Sequence, residues 1–170
     1  MAKKTPEQQL RISCRDVQLI IYDFDGVMTD NRALVFDDGH EAVFVNRSDG
    51  LAVSLIKKAG IRQIIVSTET NRVAGERARK LGIPCIQSVT DKRKTVEEYL
   101  KENKISPSKT IFVGNDLNDL EAMKYVGWPL APSDAHKSVL KASKITLASK
   151  GGAGAVRELF DLLDLESKDG

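Results

Sequence analysis

Two aspartates one residue apart, Asp23 and Asp25, directly follow an apolar stretch at residues 17–22. Carboxylates at the end of a buried strand place negative charge where a protein core disfavours it, so a positive group is expected beside them. Mg²⁺ prefers carboxylate and carbonyl oxygens as ligands. The pair therefore predicts a magnesium site that includes Asp23 and Asp25. A tight turn is the structural alternative, since Asp and Gly are both common in turns.

Three further segments carry residues that can join Asp23 at the carboxyl ends of predicted strands. Ser67 follows apolar residues, and its hydroxyl at a helix start can hold a phosphate, although an N-cap would use the same residue type. Lys92 precedes a predicted helix and can neutralise the aspartates, although most lysines are solvated surface residues. Residues 114–119 (GNDLND) form a second acidic loop after an apolar run. A turn explains one acidic loop more easily than two.

The elements that must position these residues alternate between β-prone and helical patterns. Strands are predicted at residues 17–22, 61–66, 84–86, 110–113 and 144–147. Helices are predicted at residues 50–59, 71–81, 92–103, 117–126 and 155–165. This alternation indicates an α/β fold, a Rossmann-like doubly wound parallel sheet. The carboxyl ends of such strands are where ligands bind.

A hairpin interrupts this alternation after the first strand. Residues 33–45 have two β-prone arms around Asp38 and Gly39, a strong hairpin signal, and the whole insertion spans about residues 31–46. Residues 1–14 are predicted to be a polar tail, and residues 15–170 a single domain. Gly151, Gly152 and Gly154 predict a flexible loop before the last helix.

Composition excludes several classes of function. The 170 residues are 41% hydrophobic and 29% charged, which fits one globular domain. A net charge of +2 and 5% aromatic residues argue against nucleic acid binding. Cys14 and Cys85 have no metal-type spacing, so free thiols are expected. The polar N-terminus and the lack of a membrane-spanning stretch favour a cytoplasmic protein without membrane contact.

In their order along the chain, these motifs resemble the haloacid dehalogenase superfamily. The short insertion, without a large cap domain, is similar to its capless branch. Residues 23–30 (DFDGVMTD), 47–50 (RSDG) and 151–158 (GGAGAVRE) resemble more closely the phosphatases of 3-deoxy-2-ulosonic acid phosphates. Members of that clade act on 3-deoxy-octulosonate 8-phosphate and on nine-carbon, sialic-type 9-phosphates.

The resemblance implies a two-step phosphatase reaction. Asp23 would attack phosphorus to form an aspartyl-phosphate, and Asp25 would serve as acid and then base. Ser67 and Lys92 would bind the transferring oxygens, and Asp119 would orient Lys92 or a metal-bound water. Mg²⁺ would lie between Asp23, the carbonyl of Asp25 and residues 114–116.

One departure from the family pattern affects the metal site. Many relatives have Gly-Asp-Asp where this chain has Gly114, Asn115 and Asp116. The expected carboxylate ligand is therefore an amide, which predicts weaker metal affinity. Asp116 is the alternative ligand, through a shift of the loop.

The substrate prediction depends on three residue positions. Octulosonate phosphatases usually carry Gly-Arg where this chain has Glu69, and a Glu resembles the nine-carbon group. Arg77 and Lys80 match basic positions there and can bind a sugar carboxylate, with an exposed basic helix as the alternative. Arg157, in the glycine-rich motif, is a further candidate. We therefore expect a nine-carbon 9-phosphate, with octulosonate 8-phosphate as the runner-up.

Relatives without a cap form tetramers, so the resemblance also implies a homotetramer. Phe36, Val43 and Phe44 on the hairpin can bury apolar area between subunits.

Two other classes compete with the enzyme. A catalytically weak assembly domain, as found fused to sialic acid-activating enzymes, is one. A phosphoacceptor signalling domain is the other, but the hairpin and the order of the motifs argue against it.

Overall fold

The structure, a computed structural model, describes residues 11–165. Ten strands, numbered in chain order, lie within this range: β1 (Ile12–Ser13), β2 (Leu19–Tyr22), β3 (Leu34–Val35), β4 (Glu41–Ala42), β5 (Arg62–Val66), β6 (Cys85–Ile86), β7 (Thr110–Val113), β8 (Trp128–Ala131), β9 (Ile145–Thr146) and β10 (Leu163–Asp164). The same residues contain six α-helices: α1 (Arg47–Lys58), α2 (Val73–Leu81), α3 (Lys92–Glu102), α4 (Leu120–Tyr125), α5 (Lys137–Ala142) and α6 (Ala155–Leu162).

The central sheet has six parallel strands in the order β6-β5-β2-β7-β8-β9. Its strand order reverses between β2 and β7, which makes the edge beyond these two strands the topological switch point. The predicted doubly wound parallel sheet is confirmed. The chain reaches the switch point twice, at the end of β2 and at the end of β7.

Helices cover both faces of the sheet because the central strands are apolar on both sides. Ile20 and Tyr22 of β2 face the cluster beneath α1, α2 and α6. Leu19 and Ile21 face the cluster beneath α3, α4 and α5. All four side chains are fully buried. Strands buried on both faces read as continuous apolar runs, which is why β2, β5 and β7 are predictable from sequence.

Strand β8 and helix α5 are not predicted by the sequence patterns. β8 contains Pro129, and proline within an apolar run argues against a central strand. Pro129 is tolerated because β9 pairs with β8 only from Leu130 onward. The carbonyl of Pro129 accepts a hydrogen bond from Lys144 N at 2.8 Å. Helix α5 has only six residues, too few for a clear periodicity.

The predicted hairpin forms between β3 and β4, which pair antiparallel. Gly39 has a φ of +85° at the turn, a value that glycine adopts without strain. A bridge between Thr29 and Val45 closes the insertion at its base. The hairpin therefore projects from the same end of β2 as Asp23.

The two ends of the described chain meet in a small second sheet. β1 pairs in parallel with β10, which takes up residues at the end of the helix predicted over 155–165. Of the predicted polar tail, residues 1–10 lie outside the described residues, whereas Ile12 and Cys14 are buried in the core. Cys14 and Cys85 are not joined by a disulfide. No helix within residues 11–165 is long and apolar enough to cross a membrane.

Candidate active site

A cavity of about 340 Å³ opens at the switch point. It is lined by Asp23, Asp25, Asn31, Thr68, Glu69, Asn115, Asp116, Leu117 and Asn118. Asp23 follows β2 directly, and its backbone N–H donates to Val113 O of β7 at 2.9 Å. Asn115 and Asp116 follow β7. The topology of the sheet thus brings together two acidic loops that lie some ninety residues apart in sequence.

Lys92 lies beneath this cavity and is only 3% exposed. Its ammonium contacts Asp23 Oδ1 at 2.8 Å and Asp119 Oδ1 at 2.6 Å. Burial lowers the pKa of Lys92, but the attraction of the two carboxylates outweighs this effect, so the pKa is raised and the lysine stays charged. The alternative of a solvated surface lysine is therefore wrong. The positive group expected beside Asp23 is Lys92.

Asp119 is fully buried and links Lys92 to the second acidic loop. One carboxylate oxygen accepts from Lys92, and the other accepts from the backbone N–H groups of Asn115 at 2.9 Å and Asp116 at 3.2 Å. A side chain at Gly114 would collide with Asp119. Asp119 therefore orients both Lys92 and the backbone of the Asn115 loop.

The two aspartates after β2 differ in their environment. Burial, followed by repulsion from Asp119, raises the pKa of Asp23 to about 7 despite the opposing effect of Lys92. Burial, followed by repulsion from Glu69, raises the pKa of Asp25. A bound cation would favour the ionised form of Asp23. The raised pKa of Asp25 favours the protonated form that a general acid needs.

Three polar groups converge beside Asp23 in a way that suits a cation. One terminal atom of the Asn115 amide lies 2.9 Å from Asp25 O and 3.1 Å from Asp23 Oδ2. As nitrogen it donates hydrogen bonds to both oxygens. As oxygen, which a half-turn of the amide group exchanges with nitrogen, it completes a set of three ligands. Gly26 makes this possible, because a Cβ there would overlap the Asn115 amide.

These oxygens fit Mg²⁺, with Asn115 better placed than Asp116 to be the third ligand. Asp116 lines the cavity, but its Oδ1 accepts from Leu117 N at 2.7 Å and so caps the short 3₁₀ turn at Leu117–Asp119. No group of three or more His, Cys, Asp or Glu side chains in residues 11–165 is arranged for a metal. The proposed site contains only one such side chain, that of Asp23, because its other two ligands are a backbone carbonyl and an amide.

Ser67 is 1% exposed and directly follows β5, next to Thr68 and Glu69 of the cavity lining. It is not the N-cap of the following helix, because α2 begins six residues later, at Val73. Its Oγ accepts from Glu69 N at 3.1 Å, which leaves the hydroxyl proton available to an incoming oxygen. The geometry therefore favours the phosphate interpretation over the N-cap interpretation.

The four residues predicted to bind the substrate lie in three separate cavities. Glu69 lines the cavity beside Asp25. Arg77 and Lys80 line another cavity, between α1 and α2, where Arg77 donates to Asn46 O at 3.1 Å. Arg157 pairs with Asp161 at 3.2 Å and lines a third cavity. Within one chain, only Glu69 is placed beside the aspartates.

Sequence patterns missed Thr29, which shapes the loop after β2. Thr29 is fully buried, and its Oγ1 accepts from Gly26 N and from Asn31 N, both at 3.2 Å. Gly26 and Asn31 have positive φ values of 83° and 64°. The hydroxyl thus stabilises the turn that exposes the Asp25 carbonyl. Its presence within the motif at residues 23–30 was the available signal.

Comparisons with known proteins agree with this geometry. A family model described as haloacid dehalogenase-like hydrolase matches residues 51–159. The chain is 32% identical to the 3-deoxy-D-manno-octulosonate 8-phosphate phosphatase of Yersinia pestis, over 87% of this chain and 80% of that protein. It is 29% identical to N-acylneuraminate cytidylyltransferase A of Danio rerio over 89% of its length, but spans only 36% of that relative.

The comparison with solved structures adds a bound state. The 3-deoxy-D-manno-octulosonate 8-phosphate phosphatase of Moraxella catarrhalis, solved with magnesium, phosphate and KDO, superposes with a TM-score of 0.84. It is 28% identical to this chain, and the match covers 88% of this chain and 86% of that one.

Proposed function

Because the chain belongs to the haloacid dehalogenase-like hydrolases and is a phosphoric monoester hydrolase, we propose that it dephosphorylates 3-deoxy-D-manno-octulosonate 8-phosphate, with Mg²⁺ as cofactor. The observation that carries this proposal is the buried contact of Lys92 with Asp23 and Asp119 beside three converging oxygens. The named phosphatase relatives support the eight-carbon substrate.

In the first step, a carboxylate oxygen of Asp23 attacks phosphorus and forms an aspartyl-phosphate. The bond from phosphorus to the sugar oxygen breaks, and Asp25 gives its proton to that oxygen. In the second step, the Asp25 carboxylate takes a proton from water, which attacks the same phosphorus. Inorganic phosphate leaves, and Asp23 returns as a carboxylate.

The surrounding groups stabilise charge during both steps. Lys92 holds Asp23 in place through its 2.8 Å contact and offers positive charge to the transferring oxygens. The Ser67 hydroxyl donates to one of these oxygens. When bound, Mg²⁺ supplies the charge that lets an anionic nucleophile approach an anionic phosphate. Asp23, the Asp25 carbonyl and Asn115 would hold it.

A nine-carbon 9-phosphate is the second candidate substrate, and the position of Glu69 favours it. Glu69 lines the cavity beside Asp25 and can accept hydrogen bonds from sugar hydroxyls. The relatives that are phosphatases by name act on the eight-carbon compound, so the nine-carbon preference expected from sequence takes second place.

The charge of the cavity supports a further element of the proposal, a homotetramer. The ionisable residues that line the cavity are Asp23, Asp25, Glu69 and Asp116, all of them acidic. A phosphorylated sugar acid adds a phosphate and a carboxylate, which need more cations than Lys92 and Mg²⁺. Within one chain, Arg77 and Lys80 line another cavity. A second copy that presents basic residues to the cavity would meet this need.

The test measures kcat/KM for octulosonate 8-phosphate and for a nine-carbon sugar acid 9-phosphate, each with and without Mg²⁺. We expect the higher value for the eight-carbon substrate, and activity that requires the metal. A clear preference for the nine-carbon compound would select the second candidate. Failure to hydrolyse either sugar phosphate or p-nitrophenyl phosphate would instead favour the assembly domain.

A further inference from the structure

A loop outside the cavity contacts two separate parts of the candidate site. This β8–α5 loop, residues 132–136, was not assigned any role by the sequence motifs. At one end, His136 N donates to Asn115 O at 2.8 Å. In its middle, the carboxylate of Asp134 accepts from Gly151 N at 2.9 Å, and Ser133 N donates to Ser149 O at 3.0 Å. The loop therefore connects the second acidic loop to the segment that carries the glycines.

The glycine turn, residues 151–154, packs directly on the backbone of residues 26–30. Gly152 N donates to Val27 O at 3.0 Å. A Cβ at Gly151 would overlap the carbonyl oxygen of Gly26, and one at Gly152 would lie 2.5 Å from Thr29 C. Gly151 and Gly152 are thus required for a close approach of two backbones, which no larger residue permits.

Gly26 is also in contact with Asn115. A Cβ at Gly26 would overlap the Asn115 amide, so the two are in close contact. The peptide that joins Asp25 to Gly26 carries the Asp25 carbonyl, one of the three oxygens of the metal site. The next carbonyl along the chain, that of Gly26, is the one that Gly151 contacts, so Gly26 touches both Asn115 and the glycine turn. Both of those partners are hydrogen-bonded to the β8–α5 loop.

We propose that Asp134 is a positioning residue for the metal site. Its hydrogen bond to Gly151 N holds the glycine turn in contact with Gly26. Because Gly26 directly follows Asp25, this contact sets the direction of the Asp25 carbonyl relative to Asn115. The proposal rests on the magnesium site of the proposed function but not on the identity of the substrate. Asp134 itself is exposed and touches none of the reacting atoms.

The test compares Mg²⁺ binding to the metal-free full chain by isothermal titration calorimetry in three variants. We expect Asp134→Ala to bind Mg²⁺ about fivefold more weakly than the wild type, the effect of one lost hydrogen bond on a ligand's position. Asp134→Asn keeps an oxygen acceptor for Gly151 N and should recover most of the affinity. Ser133→Ala, the matched control, alters a neighbour that contributes its backbone N–H and should bind as the wild type does.

A second readout separates positioning from general support of the fold. Without Mg²⁺, the urea midpoint of Asp134→Ala should stay close to that of Ser133→Ala, while only the former loses affinity. Wild-type affinity in Asp134→Ala, or an equal loss in Ser133→Ala, would overturn the proposal. A wild type that binds no Mg²⁺ would overturn it at its premise. If the wild type binds Mg²⁺ but does not hydrolyse octulosonate 8-phosphate, only the proposed substrate is contradicted.

Discussion

Asp23, Lys92 and Asp119 are at most 5% exposed, whereas four apolar side chains of the neighbouring hairpin are 48–77% exposed. The hairpin side chains in question are those of Leu34, Val35, Phe36 and Phe44. Both regions lie at the same edge of the sheet. In the buried cluster every charge has an oppositely charged partner within 2.8 Å. On the hairpin, β3 and β4 share only two residue pairs.

This difference separates the chemistry of phosphate transfer from the recognition of the substrate. The residues proposed to bind phosphate and metal lie together in one chain, because strand ends and a helix start fix them. The hairpin leaves a large apolar surface without a partner among the described residues, and such a surface marks an interaction site. The proposed reacting groups are thus held in place by contacts within one chain, whereas the four hairpin side chains remain exposed.

The largest effect is expected from the proposed nucleophile. Asp23→Asn should lower turnover of p-nitrophenyl phosphate by about 10⁴-fold or more, since an amide cannot form the covalent intermediate. Asp30→Asn is the matched control, in the same loop and paired with exposed Arg32, and should retain near wild-type activity. Activity that survives in Asp23→Asn would show that this cluster is not the reacting centre.

Loss of the buried cation should cost stability. Lys92→Met leaves Asp23 and Asp119 without their counter-charge, so the free energy of unfolding should fall by about 3–5 kcal/mol. Lys94→Met is the control on the same helix, because its exposed pair with Glu98, at 4.0 Å, should contribute less than about 0.5 kcal/mol. Urea unfolding measures both variants. Equal losses of unfolding free energy in the two variants would show that the buried ion pairs of Lys92 contribute no more to stability than the exposed pair of Lys94.

The metal site can be strengthened if Asn115 is a ligand. Asn115→Asp adds a negative charge to the three converging oxygens and should raise the affinity for Mg²⁺ by about tenfold. Asp116→Ala removes a cap, not a ligand, and should leave the half-saturating Mg²⁺ concentration within about twofold of the wild type. Titration of activity with Mg²⁺ checks both. An unchanged metal dependence in the first variant and a strong change in the second would assign the site to Asp116.

The same contrast explains what sequence patterns could predict. Asp23, Ser67 and Asn115 follow strands that are buried on both faces, and a parallel sheet brings its carboxyl ends to one edge. Their proximity is therefore a consequence of topology. The burial of Lys92 is not predictable locally, because it depends on Asp119, which lies 27 residues away in sequence.

The candidate residues on helix surfaces line other cavities than the acidic one at the strand ends. Arg77, Lys80 and Arg157 fit substrate-binding positions of the family, yet in one chain they line other cavities. Helical spacing says which residues share a face but not what that face meets. The role of Asp134 was equally hidden, since it depends on a hydrogen bond to Gly151, 17 residues away.

Asp49 provides a buried carboxylate that no cation contacts as closely as Lys92 contacts Asp23. Its Oδ1 accepts from Arg157 N at 2.9 Å and caps α6, whose own N-cap residue is Gly154, while its Oδ2 has no hydrogen-bond partner. Burial raises the pKa of Asp49 above its ordinary value, although its backbone donors and Arg77 oppose the shift.

The raised pKa of Asp49 determines how its contribution to stability depends on pH. Between the pKa of the unfolded chain, about 4, and the higher folded pKa, the native state binds more protons, so the contribution of Asp49 to stability falls as pH rises. Asp49→Asn keeps the capping oxygen without the charge. Its free energy of unfolding should rise relative to the wild type across this window, and Asp49→Ala should lose about 1 kcal/mol of capping. A pH-independent difference for Asp49→Asn would contradict the raised pKa.

The smallest effect within a single chain is expected on the hairpin. Phe44 is 77% exposed, so Phe44→Ser should change the free energy of unfolding of an isolated subunit by less than about 0.5 kcal/mol. If hairpins pack together in a tetramer, the same substitution should shift the protein toward smaller species in light scattering, because the buried apolar area of each contact falls. Leu51→Ser, at a 54% exposed position on α1, controls for loss of apolar surface elsewhere. An unchanged mass for Phe44→Ser, or a monomeric wild type, would show that the hairpin does not hold subunits together. The cations that balance the acidic cavity would then have to come from a source other than a hairpin-mediated assembly.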